Sequence, residues 1–357
     1  MDPKISDFIL TFSSVLWEAM PFIVLGAVIA GFLEEFLPQE AISKFLPRAV
    51  LPSVMIGAVL GLIFPMCECG IVVVMRRLLR KGLPLSCCIA YMLAGPVING
   101  VVIYSTWVAF RDFGIGREMV GLRILLAFIV ACLTGLIVQR QYQKYGNALL
   151  TPMAMPPAMP ESDARVSESN LSWLERLWLI PIFFVKLVKM APKAVLFVLN
   201  PRTWTLARLS RISATALHDF VDITVFLILG AVLAAIAKQN ITPDQIESLS
   251  RDQPFLAIPA MMLLAVLMCL CSEADAFVAA SFTNMHVSAK LAFLVLGPML
   301  DLKLLMMFTR VFRLRLIVTI VLSTVCLVFI LTLAVHGIYE LNHWSGLPTS
   351  LQPGALK

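Results

Sequence analysis

Apolar runs with few charges, long enough to cross a lipid bilayer, limit the fold of this chain more than any other feature. A helical span needs about 20 such residues, and segments near 8–33, 84–110, 119–138, 219–237, 288–309 and 316–336 have that length. The sequence therefore predicts an all-α polytopic membrane protein. With 60% apolar and only 14% charged residues, an ordinary cytosolic enzyme is excluded. The net charge of +6 falls in short stretches between the runs, so it reads as a topology signal and not as a nucleic-acid site. Met1-Asp2-Pro3-Lys4 lacks a basic n-region and the first run is too long for a cleaved signal, so the first span is expected to stay.

The chain repeats itself. Cys67-Glu68-Cys69 is followed by Gly95-Pro96, and Cys269-Leu270-Cys271 by Gly297-Pro298, both at an offset of 202 residues. Pro52 and Pro254, Ser86 and Ser288, and Ala90 and Ala292 keep that offset, and Asn99 falls opposite Asp301. Leu25-Gly26-Ala27-Val28 echoes Leu229-Gly230-Ala231-Val232 at an offset of 204, which also sets Glu18 opposite Asp222. The expected organisation is a first membrane repeat over 1–138, a linker over 139–218, a second repeat over 219–337 and a tail over 338–357. The linker holds ten Lys or Arg against four Asp or Glu, so the positive-inside rule places it in the cytoplasm. Its segment 151–170, rich in Pro, Ser and Met, is expected to be mobile. Lys186, Lys189 and Lys193 make 173–199 an interfacial helix with snorkelling lysines.

The segments before each C-x-C, 52–66 and 254–268, span about 22 Å as helices, short of the ~30 Å hydrocarbon core. Each half then holds about three full spans plus a re-entrant or broken helical hairpin carrying C-x-C. An odd number of crossings inverts the second repeat. It puts Arg76, Arg77, Arg80 and Lys81 inside with Arg310, Arg313 and Arg315, where they read as topogenic charges near headgroups. The alternative, one ordinary span over 49–75 and parallel repeats, sends the second arginine cluster outside, against the rule.

Paired, interrupted apolar segments point to a site at the repeat interface. Positions i and i+2 lie about 200° apart on a helix, so Cys67 and Cys69 act together only at a break, which Gly70 permits and Ser272 matches in the second motif. Two tips meeting at a pseudo-two-fold axis bring Cys67, Cys69, Cys269 and Cys271 towards one site. Thiolates suit soft metals and thiophilic metalloids, and thiols also exchange with sulfur compounds; the alternative is four small residues that only pack. Spacing and the absence of a nearby histidine disfavour zinc at the first motif, and whether any metal binds is left open. Glu68, Glu273, Asp275 and Asp301 are costly in an apolar zone and are candidates for proton coupling, with Lys303 available to Asp301 and Lys290 to Glu273 as simple partners. Gly95, Pro96, Gly297 and Pro298 interrupt their spans, and Asn99 and Asp301 are placed to line the resulting cavity. Glu18 and Asp222 read as solvated span-end acids, and the four histidines add little. No H-E-x-x-H, Walker A or G-x-G-x-x-G context occurs, so neither an enzyme nor a cofactor is expected, and ATP coupling would need another subunit.

From Cys67 to Gly82, with Ala94-Gly95-Pro96-Val97-Ile98-Asn99 after it, the sequence resembles the YraQ-type predicted permeases, a family related to organoarsenical efflux permeases. The stretch Cys271 to Phe282 followed by Gly297-Pro298-Met299-Leu300-Asp301 resembles the family's second signature, and Val73 stands near where a proline is expected. The resemblance implies a plasma-membrane permease. Together with the repeat, the expectation is proton-coupled movement, such as efflux, of a small thiophilic or sulfur-containing solute: a metalloid, an organoarsenical or a sulfur compound. The competing reading is a membrane thiol relay in which the C-x-C pairs serve a soluble thiol or sulfur-carrier partner. Expected partners are thus a small molecule or ion and the bilayer, with no nucleic acid, and the oligomeric state is left open.

Overall fold

The computed structural model of the chain describes residues 3–36, 49–62, 66–152, 154, 205–240, 254–282 and 285–341. In the first half these form α1 (Pro3–Phe36), α2 (Val50–Val59), α3 (Glu68–Arg80), α4 (Leu85–Ala94), α5 (Gly100–Arg111) and α6 (Gly116–Tyr145). In the second they form α7 (Leu206–Asn240), α8 (Pro254–Met268), α9 (Ala274–Ser281), α10 (Val287–Leu296), α11 (Leu302–Val311) and α12 (Leu314–Leu341). The two series correspond element by element, with the C-x-C motif at the start of the third helix in the first half and just before it in the second, and the Gly-Pro pair before the fifth in both. Among the described residues extended pairing is limited to one bridge, between Leu150 and Phe312.

Among the described residues five stretches are long and apolar enough to cross a membrane: Ile5–Phe36, Gly116–Leu149, Arg208–Ile236, Val287–Val311 and Leu314–Leu341. The expected span 84–110 is not one helix. Gly95-Pro96 ends α4, because proline has no N–H to donate and biases the residue before it away from helix. The chain restarts at Asn99, whose side chain accepts from the backbone N–H groups of Val101 and Val102 at 2.8 and 3.1 Å. Asp301 restarts α11 in the same way, accepting from Leu304 N–H at 2.6 Å. Domain bounds shift too: α6 runs past residue 138 to Tyr145, α7 begins at Leu206 inside the expected linker, and α12 takes the first residues of the expected tail. The mobile segment 151–170 falls almost wholly, and the interfacial helix 173–199 entirely, outside the described residues.

Contacts along each helix give its direction. Gly57 meets Cys87 and Gly61 meets Gly95, so α2 runs parallel to α4. Gly26 meets Gly70 while Glu34 pairs with Arg77 and Lys81, so α3 runs parallel to α1. The short turn after α3 sets it against α4, so α2 and α3 run in opposite directions on either side of the C-x-C segment. This fits the helical hairpin expected there, and α3 continues helical through Val73, where no proline interrupts it.

Corresponding long helices lie antiparallel. Glu35 near the end of α1 pairs with Arg211 (2.9 Å) and Arg208 (3.4 Å) near the start of α7, and Gly31 faces Ile212. At one end of the α6–α12 pair the Tyr339 hydroxyl donates to Glu118, and at the other Arg315 lies over Tyr145, 5.6 Å from the ring centre.

Arg76 and Arg77 do not reach out to headgroups. Both are buried, and they tie the halves together through Asp219, which is 0% exposed. Arg77 donates to both Asp219 oxygens at 2.8 and 2.7 Å, and Arg76 bonds Asp219 and, at 3.1 Å, Asp222. Arg310 closes the network on Asp222 at 2.8 Å, so this acid is no solvated span end. Removing one partner of a buried pair strands the other charge and costs about 3–5 kcal/mol, whereas an exposed pair contributes about 0–1 kcal/mol. Asp219→Ala is therefore expected to lower unfolding stability in detergent micelles by several kcal/mol, and Glu35→Ala, at the exposed Arg211 pair, by less than about 1 kcal/mol. Equal losses in the two variants would remove the network from the fold's framework.

Candidate functional site

The helix breaks put the starts of α3 and α11 against each other. Glu68, in the first turn of α3, lies 2.8 Å from Lys303 in the first turn of α11, an ion pair between side chains that are 0% and 1% exposed. Asp301 lies 3.4 Å from the same ammonium. Lys303 also donates to the Cys269 carbonyl at 3.2 Å. Cys269 sits at φ 49°, a left-handed conformation that stops α8 and turns this carbonyl towards the lysine. Three carboxylates occupy helix starts here, Glu68 and Asp275 in first turns and Asp301 at the cap, where the helix dipole favours negative charge.

All four motif cysteines are buried and free. The Cys69 thiol is within hydrogen-bonding reach of Cys67, and Cys271 lies in the field of Glu68, Lys303, Glu18 and Cys67, so the two C-x-C motifs do share one neighbourhood. Among the described residues no three His, Cys, Asp or Glu side chains are arranged to hold a metal ion. Gly70 lets α1 approach, since a Cβ on Gly26 would lie 2.8 Å from its Cα. Ser272, the matching residue, is buried with its hydroxyl unpartnered.

The Gly-Pro elements mainly admit close packing. Gly95 receives Gly61 of the turn after α2, and Gly297 faces Ala265 of α8 and the Asp275 carboxylate, with Pro96 and Pro298 buried beside them. Asn99 and Asp301 are engaged as helix caps, and Asp301 also belongs to the ion cluster. Glu273, at the cap of α9, is only partly buried. Lys290 does not pair with it; its ammonium stands over Phe113, 5.6 Å from the ring centre.

Two charged residues matter more than their sequence setting indicates. Lys303 serves Glu68 as well as Asp301. Arg123, a single cation inside the run 119–138, is 2% exposed and donates to Thr106 Oγ1 at 2.6 Å and to the Ser272 carbonyl at 3.2 Å. A lone charge within an apolar span was its only signal. The histidines also do more than expected: His336 Nδ1 lies 3.3 Å from His286 Nδ1, which accepts from the Ser288 N–H at 3.2 Å. Burial, with His336 and Lys290 nearby, holds the His286 imidazole down at about 4, which keeps that nitrogen free to accept.

A family model described as predicted permease, ArsP_1, matches residues 4–337. "UPF0718 protein YcgR" of Bacillus subtilis is 31% identical over 327 residues, covering 91% of this chain and 96% of its own. A Streptococcus mutans protein named "Putative two-component membrane permease complex subunit" is 31% identical over 330 residues, covering 92% and 94%. No solved structure matches.

The central ion cluster generates a double-mutant expectation. Lys303→Met leaves Glu68 and Asp301 without a counter-ion in a buried place, and the variant should lose monodispersity in detergent chromatography. Adding Glu68→Gln removes one stranded charge and should restore much of the folded peak. A Lys303→Met protein as stable as the parent would show that the lysine does not balance these acids.

Proposed function

The chain belongs to the ArsP_1 family of predicted permeases, and from that premise we propose that it moves a small thiophilic or sulfur-containing solute across the plasma membrane by proton-coupled alternating access. The observation that carries this reading is unequal packing of equal parts. α1 packs on α3 and α7 packs on α11, but the reciprocal pairs, α1 with α5 and α7 with α9, are all but separated. Matching positions show it directly. Lys303 is 1% exposed and its counterpart Val101 is 56% exposed; Met75 is 0% exposed and its counterpart Phe277 is 51% exposed. One gap between the repeats is shut and its symmetry mate is uncovered.

The antiparallel pairs α1–α7 and α6–α12 support inverted repeats, in which the two gaps open to opposite sides of the bilayer. The shut gap lies towards the Arg76–Asp219–Arg310 network, the basic side, which the positive-inside rule assigns to the cytoplasm. The linker 139–218 then lies inside and both termini outside. In this arrangement the solute enters from the uncovered gap and meets the C-x-C thiols, while Glu68 and Asp301 exchange protons and so loosen their hold on Lys303.

Proteoliposomes holding the full chain should take up phenylarsine oxide, a thiophilic probe, faster with an imposed proton gradient than without it. Changing Cys67, Cys69, Cys269 and Cys271 together to Ser should cut that uptake at least tenfold while leaving chromatographic behaviour intact. Unchanged uptake would remove the thiols from the path. Side-specific labelling of tags should find both termini outside; both inside would sink the inverted arrangement.

A further inference from the structure

Arg123 is a buried cation without an ion-pair partner among the described residues. Its guanidinium donates only to neutral oxygens, Thr106 Oγ1 at 2.6 Å on α5 and the Ser272 carbonyl at 3.2 Å before α9, and its Nε has no partner. Asp275, in the first turn of α9, is 2% exposed, and its Oδ2 is likewise unpartnered. The two groups feel each other's field yet form no salt bridge. The hydroxyl of Ser272, the residue whose carbonyl Arg123 holds, is buried and unpartnered too. Three unsatisfied buried polar atoms thus come from the start of α9 and from α6, beside the uncovered gap. A guanidinium is a planar fork suited to oxyanions, and leaving it buried and unpaired is costly.

Position gives the ligand's second half. Ser272 follows Cys271 directly, so the guanidinium that holds its carbonyl sits one residue from a motif thiol. We propose that Arg123 is an anion-binding residue and that the solute carries an oxyanionic group beside a soft sulfur or arsenic atom that lies next to the motif thiols, as in thiosulfate or an oxyanion of trivalent arsenic. This rests on the thiophilic-permease reading and narrows it. The charges facing Asp275 are Arg123 on α6, Glu68 on α3, Asp301 and Lys303 on α11, and its neighbour Glu273. Ionised, Asp275 competes with the ligand for Arg123; protonated, it leaves the guanidinium to the anion. Proton and anion therefore bind together, each raising the other's affinity by the same factor.

The test is equilibrium binding of radiolabelled thiosulfate to the purified full chain in detergent between pH 5 and 8, with phenylarsine oxide as a neutral thiophile. The parent should bind thiosulfate more weakly as pH rises. Arg123→Gln should lose at least tenfold in thiosulfate affinity and keep phenylarsine oxide binding; Arg123→Lys, which retains the charge and guards against misfolding, should lose less. Asp275→Asn should hold the acid-side affinity across the whole range. The proposal is overturned if the parent binds only the neutral probe, if Arg123→Gln binds thiosulfate like the parent, or if Arg123→Gln with Asp275→Asn regains full affinity, which would make the pair purely structural. Thiosulfate binding that depends on Arg123, together with phenylarsine oxide binding that survives Ser at all four motif cysteines, would leave the anion site standing and fail the thiophilic reading instead.

Discussion

An ammonium shut away from water must be neutralised by its surroundings, and the centre of this protein is arranged around one. Lys303 joins the start of α11 to the start of α3 through Glu68 and to the end of α8 through the Cys269 carbonyl. It lies where the symmetry between the halves fails, since Val101 holds its place in the first repeat. The shut gap contains the charge cluster and the uncovered gap has an apolar side chain at that position. Closing one gap or the other is thus not an exchange between equals: one closure sets a lysine against two acids, the other sets valine against Leu270.

Backbone irregularity makes the cluster possible. A continuous helix spends its N–H groups on its own carbonyls, whereas each restart frees several to face an acid. The Gly-Pro pairs create two restarts and the C-x-C motifs two more. Irregular backbone at membrane depth is tolerated only where protein or a wet cavity surrounds it, and here the restarts are wrapped by the other repeat. The chemistry-bearing residues gather at breaks because only there does the backbone offer a field to hold them.

Much of this was legible in the sequence. The offset shared by C-x-C and Gly-Pro located both pairs of breaks, and the i to i+2 argument required a break at the first C-x-C, where a helix starts at Glu68 with Cys67 as its cap. Where the reading failed, long-range pairing was the cause. Arg76 and Arg77 looked like charges facing headgroups because nothing local reveals Asp219, 142 residues further along than Arg77. His286 and His336 looked idle because 50 residues separate them. Asn99 and Asp301 were read for a cavity although their place, just ahead of a helix after proline, is that of a cap. Residue type shows that a charge in an apolar span needs a partner, but only packing names the partner.

The repeated Leu-Gly-Ala-Val adds the last step. Gly26 presses on Gly70 and Gly230 on the backbone of Lys303, so both copies of the motif serve the same shut gap. Under the pseudo-symmetry Gly26 has a second seat at Val101 and Gly230 a second seat at Ser272. Each glycine occupies a seat that demands close backbone approach, which a Cβ would prevent. In the proposed alternating-access cycle, moving between seats would take α7 off Lys303 and carry it towards the start of α9, the element of Asp275. One cation site would then lose its cover as the other gained it, so whatever neutralises Arg123 would bear on which gap closes.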